Sequence, residues 1–281
     1  MRERLALLRY TLAENPLTLA ALLLLGLLLF GAAFGPALVP FDPITTNTAV
    51  ALQPPSAVHW FGTDQLGRDI FSRVVAATRL DLAIAFSAVA LSFGIGAVVG
   101  AIIGYFGGAL DRGVSRGVDV LMAFPLFALA MGVVAALGNS VSSVVYATAV
   151  INLPFYIRLA RAEVSVRRNL GYVEAARVGG SGHARILRVF LLPNILPPLV
   201  VQASLNLGWA VLNAAGLSFI GLGVRAPTPE WGIMVAEGAQ FIVSGQWWLA
   251  AFPGLALMLA VFCFNLLGDG LRDVVDPRSR T

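Results

Sequence analysis

Stretches without charged residues constrain this chain more than any other feature of its sequence. A charged side chain costs roughly 2.5 to 3.5 kcal/mol at the centre of a membrane-spanning helix, and only 12% of the residues are charged. The charge-free runs therefore predict membrane spans. The run 43–63 is an exception, because its prolines and polar residues are typical of a loop. The run 120–157 is too long for one helix of about 20 residues and is divided by Gly138-Asn139-Ser140.

Six helices follow from these runs, so the sequence predicts an all-α membrane protein. With the N-terminus inside, fifteen of the 19 positively charged residues, all arginine, lie on that same side. An excess of arginine marks the cytoplasmic side, and we therefore expect both termini to be cytoplasmic. The predicted helices are 17–39, 82–106, 120–137, 141–159, 198–222 and 248–267.

One transmembrane domain is the simplest organisation of these helices. It covers 17–267, with a cytoplasmic segment at 1–16 before it and a cytoplasmic tail at 268–281 after it. Its long connections are two outer loops, at 40–81 and 225–247, and a cytoplasmic loop at 160–193.

The residue content gives little support for a catalytic or metal-binding function. The chain has no lysine, and the phosphate-binding loop of ATPases needs one. One cysteine and two histidines are too few for the usual zinc sites. We therefore expect no catalytic residue, no metal site and no cofactor bound by this chain.

The cytoplasmic loop at 160–193 is longer than a plain connection of 2–8 residues and carries six arginines, with a seventh, Arg158, just before it. Within it, Glu174 lies in the first turn of a predicted short helix, where the helix dipole favours an acid. Gly179 and Gly180 are typical of a helix end, and Tyr172 and Val173 are candidate anchors in a partner's pocket. A basic loop that contacts anionic lipid headgroups is the alternative.

The same loop carries a longer pattern. Glu174-Ala175-Ala176, then Gly180, then Phe190-Leu191-Leu192-Pro193 resembles the EAA motif of ABC importer permeases, with Phe190 in the place of isoleucine. The resemblance implies that this loop forms a coupling helix that docks on the ATPase subunit. The coupling residues would then be Tyr172, Val173, Glu174, Ala175, Ala176, Gly179 and Gly180.

Three further segments resemble one branch of these permeases. HWFGTDQLGRDIFSRVV, AGLSFIGLGVRAPTPEWG and FNLLGDGLRDVVDPR are similar to the second permease subunit of dipeptide, oligopeptide and nickel importers. The resemblance implies the MetI-like fold of type I importers and peptide cargo, with nickel or another small solute as the alternative.

Partners also follow from this resemblance. It implies a second, distinct permease subunit, two cytoplasmic ATPases that hold ATP and magnesium, and an extracytoplasmic solute-binding protein. The expected location is a bacterial or archaeal cytoplasmic membrane, with lipid around the helices and no nucleic acid. A transporter driven by an ion gradient is less favoured, because such proteins place ionisable groups inside their spans, and the predicted spans contain none apart from Arg158 at the end of the fourth. A membrane scaffold that transports nothing is a further alternative.

The outer segment before helix two carries two acid–arginine pairs at helical spacing, Asp64 with Arg68 and Asp69 with Arg73. They predict an amphipathic helix on the outer surface. Its function would be contact with the binding protein, and its structural alternative is a cap packed on the bundle.

Two helices carry patterns of their own. Helix two has glycines 96, 100, 104 and 108 at four-residue spacing, which favours close helix packing. Helix five places polar and aromatic side chains on one side, because residues at this spacing share a helix face. They predict the lining of a translocation path, with hydrogen bonds between helices as the alternative. These residues are Gln202, Asn206, Trp209 and Asn213.

Overall fold

A computed structural model describes residues 16–275, with side chains from 17 to 272, and this part of the chain is helical with no strand. The first predicted segment and the end of the predicted tail thus lie outside the described residues. A 3₁₀ turn at Thr48–Val50 lies in the outer loop. The helices are α1 Pro16–Leu38, α2 Ile70–Phe106, α3 Gly108–Ala123, α4 Leu126–Leu137, α5 Val141–Arg167, α6 Gly171–Val178, α7 His183–Phe219, α8 Trp231–Ala239 and α9 Trp248–Val275.

The spans α1, α2, α5, α7 and α9 are long and apolar enough to cross a membrane. The predicted third helix is wrong as a single rod, because α3 and α4 meet at an angle of 94°, and the number of candidate spans is six only if this bent pair is counted as one. Phe124 has φ −80° and ψ 145°, since the ring of Pro125 disfavours helical backbone in the residue before it. The predicted turn at 138–140 is confirmed, and Ser140 caps α5 by accepting from the Ser143 N–H.

Most helices extend beyond their predicted ends. The second begins at Ile70 rather than 82, the fifth at His183 rather than 198, and the last continues to Val275. A charge-free run measures only the part of a helix that lies in hydrocarbon, whereas turns that reach the water tolerate charge. The predicted outer amphipathic helix is wrong for Asp64 to Asp69, which are not helical, and its remainder from Ile70 onward is the first part of α2.

The most extensive helix contact joins α2 to α5 through the glycine ladder. A Cβ on Gly96 would lie 2.5 Å from the Tyr156 Cβ, and one on Gly100 would lie 2.5 Å from the Ile157 carbonyl oxygen. Gly104 approaches Arg161 in the same way. The predicted packing role is confirmed for these three positions, whereas Gly108 has open space around it at the start of α3. Helices α2 and α5 therefore form one tightly packed pair.

Candidate functional site

The short helix α6 lies where the sequence predicts it, with Glu174 in its first turn. Its C-terminal end is closed by a Schellman motif, in which the Gly180 N–H donates to the Arg177 carbonyl at 3.0 Å and the Ser181 N–H donates to the Ala176 carbonyl at 2.9 Å. Gly180 has φ +78°, a backbone conformation that glycine adopts without strain. The predicted helix and its stop are confirmed.

The two sides of α6 have different environments. Val173 is fully buried within the chain, so the expectation that it anchors in a partner's pocket is wrong. It instead holds α6 on the bundle, because an apolar side chain is stabilised by burial in its own core. The opposite side presents Glu174, Ala175 and Val178, and Val178 is 91% exposed. Glu174 forms no ion pair with any described residue.

A cavity of about 510 Å³ lies between α4, α5, α7 and α9. All four residues of the polar stripe predicted for the fifth span, which is α7 in the structure, line this cavity. The Gln202 Nε2 donates to Asn206 Oδ1 at 2.9 Å. The Asn206 Nδ2 is buried and has no hydrogen-bond partner among the described residues. Asn206 thus lies in the wall of the cavity with its amide nitrogen directed into the protein rather than into the open space.

Sequence reasoning missed the residues that other helices contribute to this cavity. The sequence signal that could have indicated them is a single polar residue within an apolar helix, because polar groups in a membrane face the interior of the helix bundle or a water-filled path. The missed lining residues include Phe127, Asn152, Phe155 and Asn265.

The outer rim, which we define as Asp64, Arg68, Asp69, Arg73 and Glu237, is the most charged part of the interior. The Arg68 Nε lies 2.6 Å from Asp64 Oδ2, and its Nη2 lies 3.2 Å from Glu237 Oε2. Arg73 completes the group at 3.7 Å from Asp64. Glu237 enters from α8, which is why no local spacing indicated it.

The four predicted rim residues are buried, so the expectation that their side chains contact a binding protein is wrong. Buried charges need partners inside the protein, and the rim provides them. Asp69 does not use Arg73. It caps α2 by accepting from the Ser72 N–H at 2.8 Å and pairs with His59 Nδ1 at 2.9 Å. These contacts are those of a structural cap.

Two further buried carboxyls lie at the outer end of α2 and the start of α8. Glu230 accepts from the Gly232 and Ile233 N–H groups at 2.9 and 2.8 Å, and burial raises its pKa. Asp81 accepts from the Trp231 N–H at 3.1 Å. The longer α2 thus contains ionisable residues that the predicted span did not, and they attach α8 to the bundle.

The family of the chain is decided by its sequence over most of its length. Residues 96–281 match the family described as the binding-protein-dependent transport system inner membrane component. Residues 5–55 match the N-terminal transmembrane domain of oligopeptide transport permease C. The chain belongs to this family of permeases.

Curated relatives agree over nearly the whole chain. The probable D,D-dipeptide transport system permease protein DdpC of Escherichia coli K12 is 42% identical over 96% of this chain and 90% of its own. The dipeptide permease DppC of Alkalihalophilus pseudofirmus is 43% identical over 96% and 88%. The nickel permease NikC of Escherichia coli K12 is 40% identical over 92% of both chains.

A solved structure has the same fold. A chain of the MetNI methionine ABC transporter, in an inward-facing crystal form, aligns with a TM-score of 0.59 at 22% identity and covers 73% of this chain and 96% of its own. The chain is therefore an ABC importer permease with the MetI-like fold. It is a multi-pass transport subunit and not an enzyme, since the ATPase of such importers is a separate subunit. The ion-gradient reading is excluded.

Proposed function

We propose that this chain forms half of the path by which di- or oligopeptides cross a membrane, and that α6 couples this path to an ATPase. The observation that carries the proposal is the cavity between α4, α5, α7 and α9. All four predicted path residues meet there, together with polar side chains from two other helices.

The chemistry of the cavity supports peptide cargo. Asn152, Gln202 and Asn206 line the space, and amide side chains both donate and accept hydrogen bonds. A peptide backbone needs both. The aromatic rings of Phe127, Phe155 and Trp209 offer apolar surface for varied side chains. Two of the relatives are named as dipeptide permeases, which supports the same cargo.

The exposed side of α6 supports its role in coupling. Glu174 and Val178 are exposed there next to Ala175, whose small side chain lets another surface approach closely. ATP and magnesium would be bound by two ATPase subunits that dock on this side, and this chain would hold no cofactor. ATP binding would move α6 and open the cavity to the outside, so that nucleotide state selects between two conformations.

The assembly would place a second, distinct permease against the open side of the cavity and a binding protein on the outer face. With the arginine-rich segments inside, both termini and α6 would be cytoplasmic. The membrane would be the cytoplasmic membrane of a bacterium or archaeon.

The experiment is uptake by the complete importer, purified with its partners from the native membrane and reconstituted in vesicles. Labelled dipeptide should accumulate only with ATP and binding protein. Glu174→Ala should reduce uptake while the protein remains in the membrane. The matched control is Glu163→Ala, which removes a partly exposed acid that pairs with Arg167 on α5 and should have little effect.

Two outcomes would contradict the proposal. Normal uptake by the Glu174→Ala importer would refute the coupling role of α6. Uptake of nickel without uptake of any dipeptide would refute the cargo, and nickel is the alternative because NikC is equally similar along the chain.

A further inference from the structure

Tyr105, near the cytoplasmic end of α2, contacts every element around the coupling helix. Its Oη lies 2.8 Å from the Nδ1 of His183, the first residue of α7. The Arg177 guanidinium on α6 lies 5.5 Å from the centre of its ring, within the range of a cation–π interaction. Tyr105 itself is buried, so these contacts are made in a fixed position.

The backbone at Tyr105 is bound by a third part of the chain, the end of α5. Arg168, at the end of α5, donates its Nη1 to the carbonyl oxygens of Gly104 and Tyr105, each at 3.1 Å. Carbonyls in the last turn of a helix have no partner within the helix, and a cation there is favourable. The end of α2 is thereby tied to α5, α6 and α7 together.

The position of Tyr105 on α2 connects these contacts to the cavity. Immediately before it, Gly96, Gly100 and Gly104 bring α2 into direct contact with the α5 backbone, and closely packed helices move as a unit. Helix α5 also lines the cavity, through Asn152 and Phe155. A displacement of α6 that reaches Tyr105 therefore reaches the cavity wall without passing along the chain.

We propose that Tyr105 is a positioning residue that transmits movement between the coupling helix α6 and the packed pair α2–α5. Arg177 transmits it through the ring, and His183 transmits it through the hydroxyl. The inference rests on the proposed function of α6 and the cavity, and goes beyond it by assigning a role to Tyr105, which lies outside the EAA motif.

The test is the ratio of peptide transported to ATP hydrolysed, measured with the complete importer in vesicles. Tyr105→Phe keeps the ring above Arg177 and removes only the hydrogen bond, which corresponds to a fall of about fivefold in the ratio. Tyr105→Leu also removes the cation–π contact and should lower it further. ATP hydrolysis should stay near the wild-type rate, since the nucleotide sites are on other subunits.

Matched variants separate transmission from folding. Tyr146→Phe removes the hydroxyl of a tyrosine on α5 that is 52% exposed and should leave the ratio unchanged. His183→Gln keeps a hydrogen-bonding side chain opposite Tyr105 and should retain more coupling than His183→Leu. If Tyr105→Leu does not assemble, Tyr105→Phe still tests whether Tyr105 transmits movement, because it is a minimal change.

Other results would overturn the inference. One is a wild-type ratio in both Tyr105→Phe and His183→Leu. Another is a loss of transport that only follows the amount of assembled complex, which indicates a structural role. If the wild-type importer shows no ATP-driven peptide uptake, the proposed function fails instead, and the two failures are distinguished.

Discussion

The outer rim and the segment around α6, residues 168–188, which we call the coupling segment after its proposed role, are both rich in charge, and they use it in opposite ways. In the outer rim, Arg68 and Arg73 are buried between Asp64 and Glu237. In the coupling segment, Glu174 and Arg185 are exposed and form no ion pair with any described residue. A buried charge requires a partner in the same chain, whereas an exposed one is free to meet another subunit.

This difference separates two functions of charge in one molecule. The rim stabilises the outer half of the permease, because its arginines join α2 and the outer loop to α8. The coupling segment presents a surface, and its stability depends on Val173 and on the cap at Gly180 rather than on its charges. Variants should therefore affect folding at one end and communication at the other.

The largest effect is expected from Arg68→Ala, which removes the nearest partner of the buried Asp64 and of the partly exposed Glu237 and leaves both acids only the more distant Arg73. Breaking a buried ion pair by removing one side costs about 3–5 kcal/mol. We expect strongly reduced stability of the detergent-solubilised protein in thermal unfolding. Arg79→Ala is the control, since Arg79 is exposed on α2, the helix that begins two residues after Arg68. Equal stability of the two variants would show that the rim does not stabilise the fold.

A smaller effect, on assembly alone, is expected from Val178→Asp. Val178 is 91% exposed on α6 and Val243 is 98% exposed at the outer end of the molecule, so the same substitution can be made at both ends without disturbing a core. Val178→Asp should weaken retention of the ATPase about tenfold, corresponding to roughly 1.4 kcal/mol, whereas Val243→Asp should not. Co-purification at increasing dilution measures this, and identical retention would refute docking on this side of α6.

Gly180→Ala tests the cap of α6. Gly180 has φ +78° and Gly245, in an outer turn, has φ +92°; neither has atoms near the position of a Cβ. A side chain in this backbone region costs about 1–2 kcal/mol in both places. Only Gly180→Ala should lower the transport obtained per ATP, severalfold, because only that turn belongs to the coupling segment. A similar loss in Gly245→Ala would mean that strain itself is responsible.

The smallest effect is expected at Asp42 in the outer loop. Its Oδ1 accepts from the Ile44 and Thr45 N–H groups at 2.7 and 2.9 Å, and these bonds lower its pKa from 3.8. Because the pKa of Asp42 is lower in the folded protein than in the unfolded chain, its ionised carboxylate stabilises the fold at pH values above the unfolded pKa. This contribution is lost as the pH falls through the folded pKa. Asp42→Asn should therefore differ slightly from wild type near pH 6 and approach it in acid. Parallel pH–stability curves would contradict this.

Much of the coupling segment could be predicted from sequence because its signals are local. The acid in the first turn, the alanines and the glycine cap act within a few residues of one another, and α6 forms between them. The helix-five stripe was predictable for the same reason, since helical periodicity alone places Gln202, Asn206 and Asn213 on one face. The cavity that they line also needs α4, α5 and α9, and their positions are not local information.

The outer rim shows where local reasoning fails. The spacing of Asp69 and Arg73 predicted an ion pair, but Asp69 caps α2 and pairs with His59. Arg68 reaches Glu237, which is 169 residues away along the chain. The bend between α3 and α4 was missed because the charge-free run continues through Pro125, although that proline is itself a local signal.

The amino-acid sequence by itself determined that the chain is an all-α membrane protein and where α6 begins and ends, because desolvation of charge and helix capping act on neighbouring residues. Its family signatures also determined that the chain is an importer permease. Only the tertiary structure decided that the rim charges are buried, that Val173 faces inward and that Tyr105 joins three elements. These depend on which distant helices pack together, and packing is a property of the whole fold.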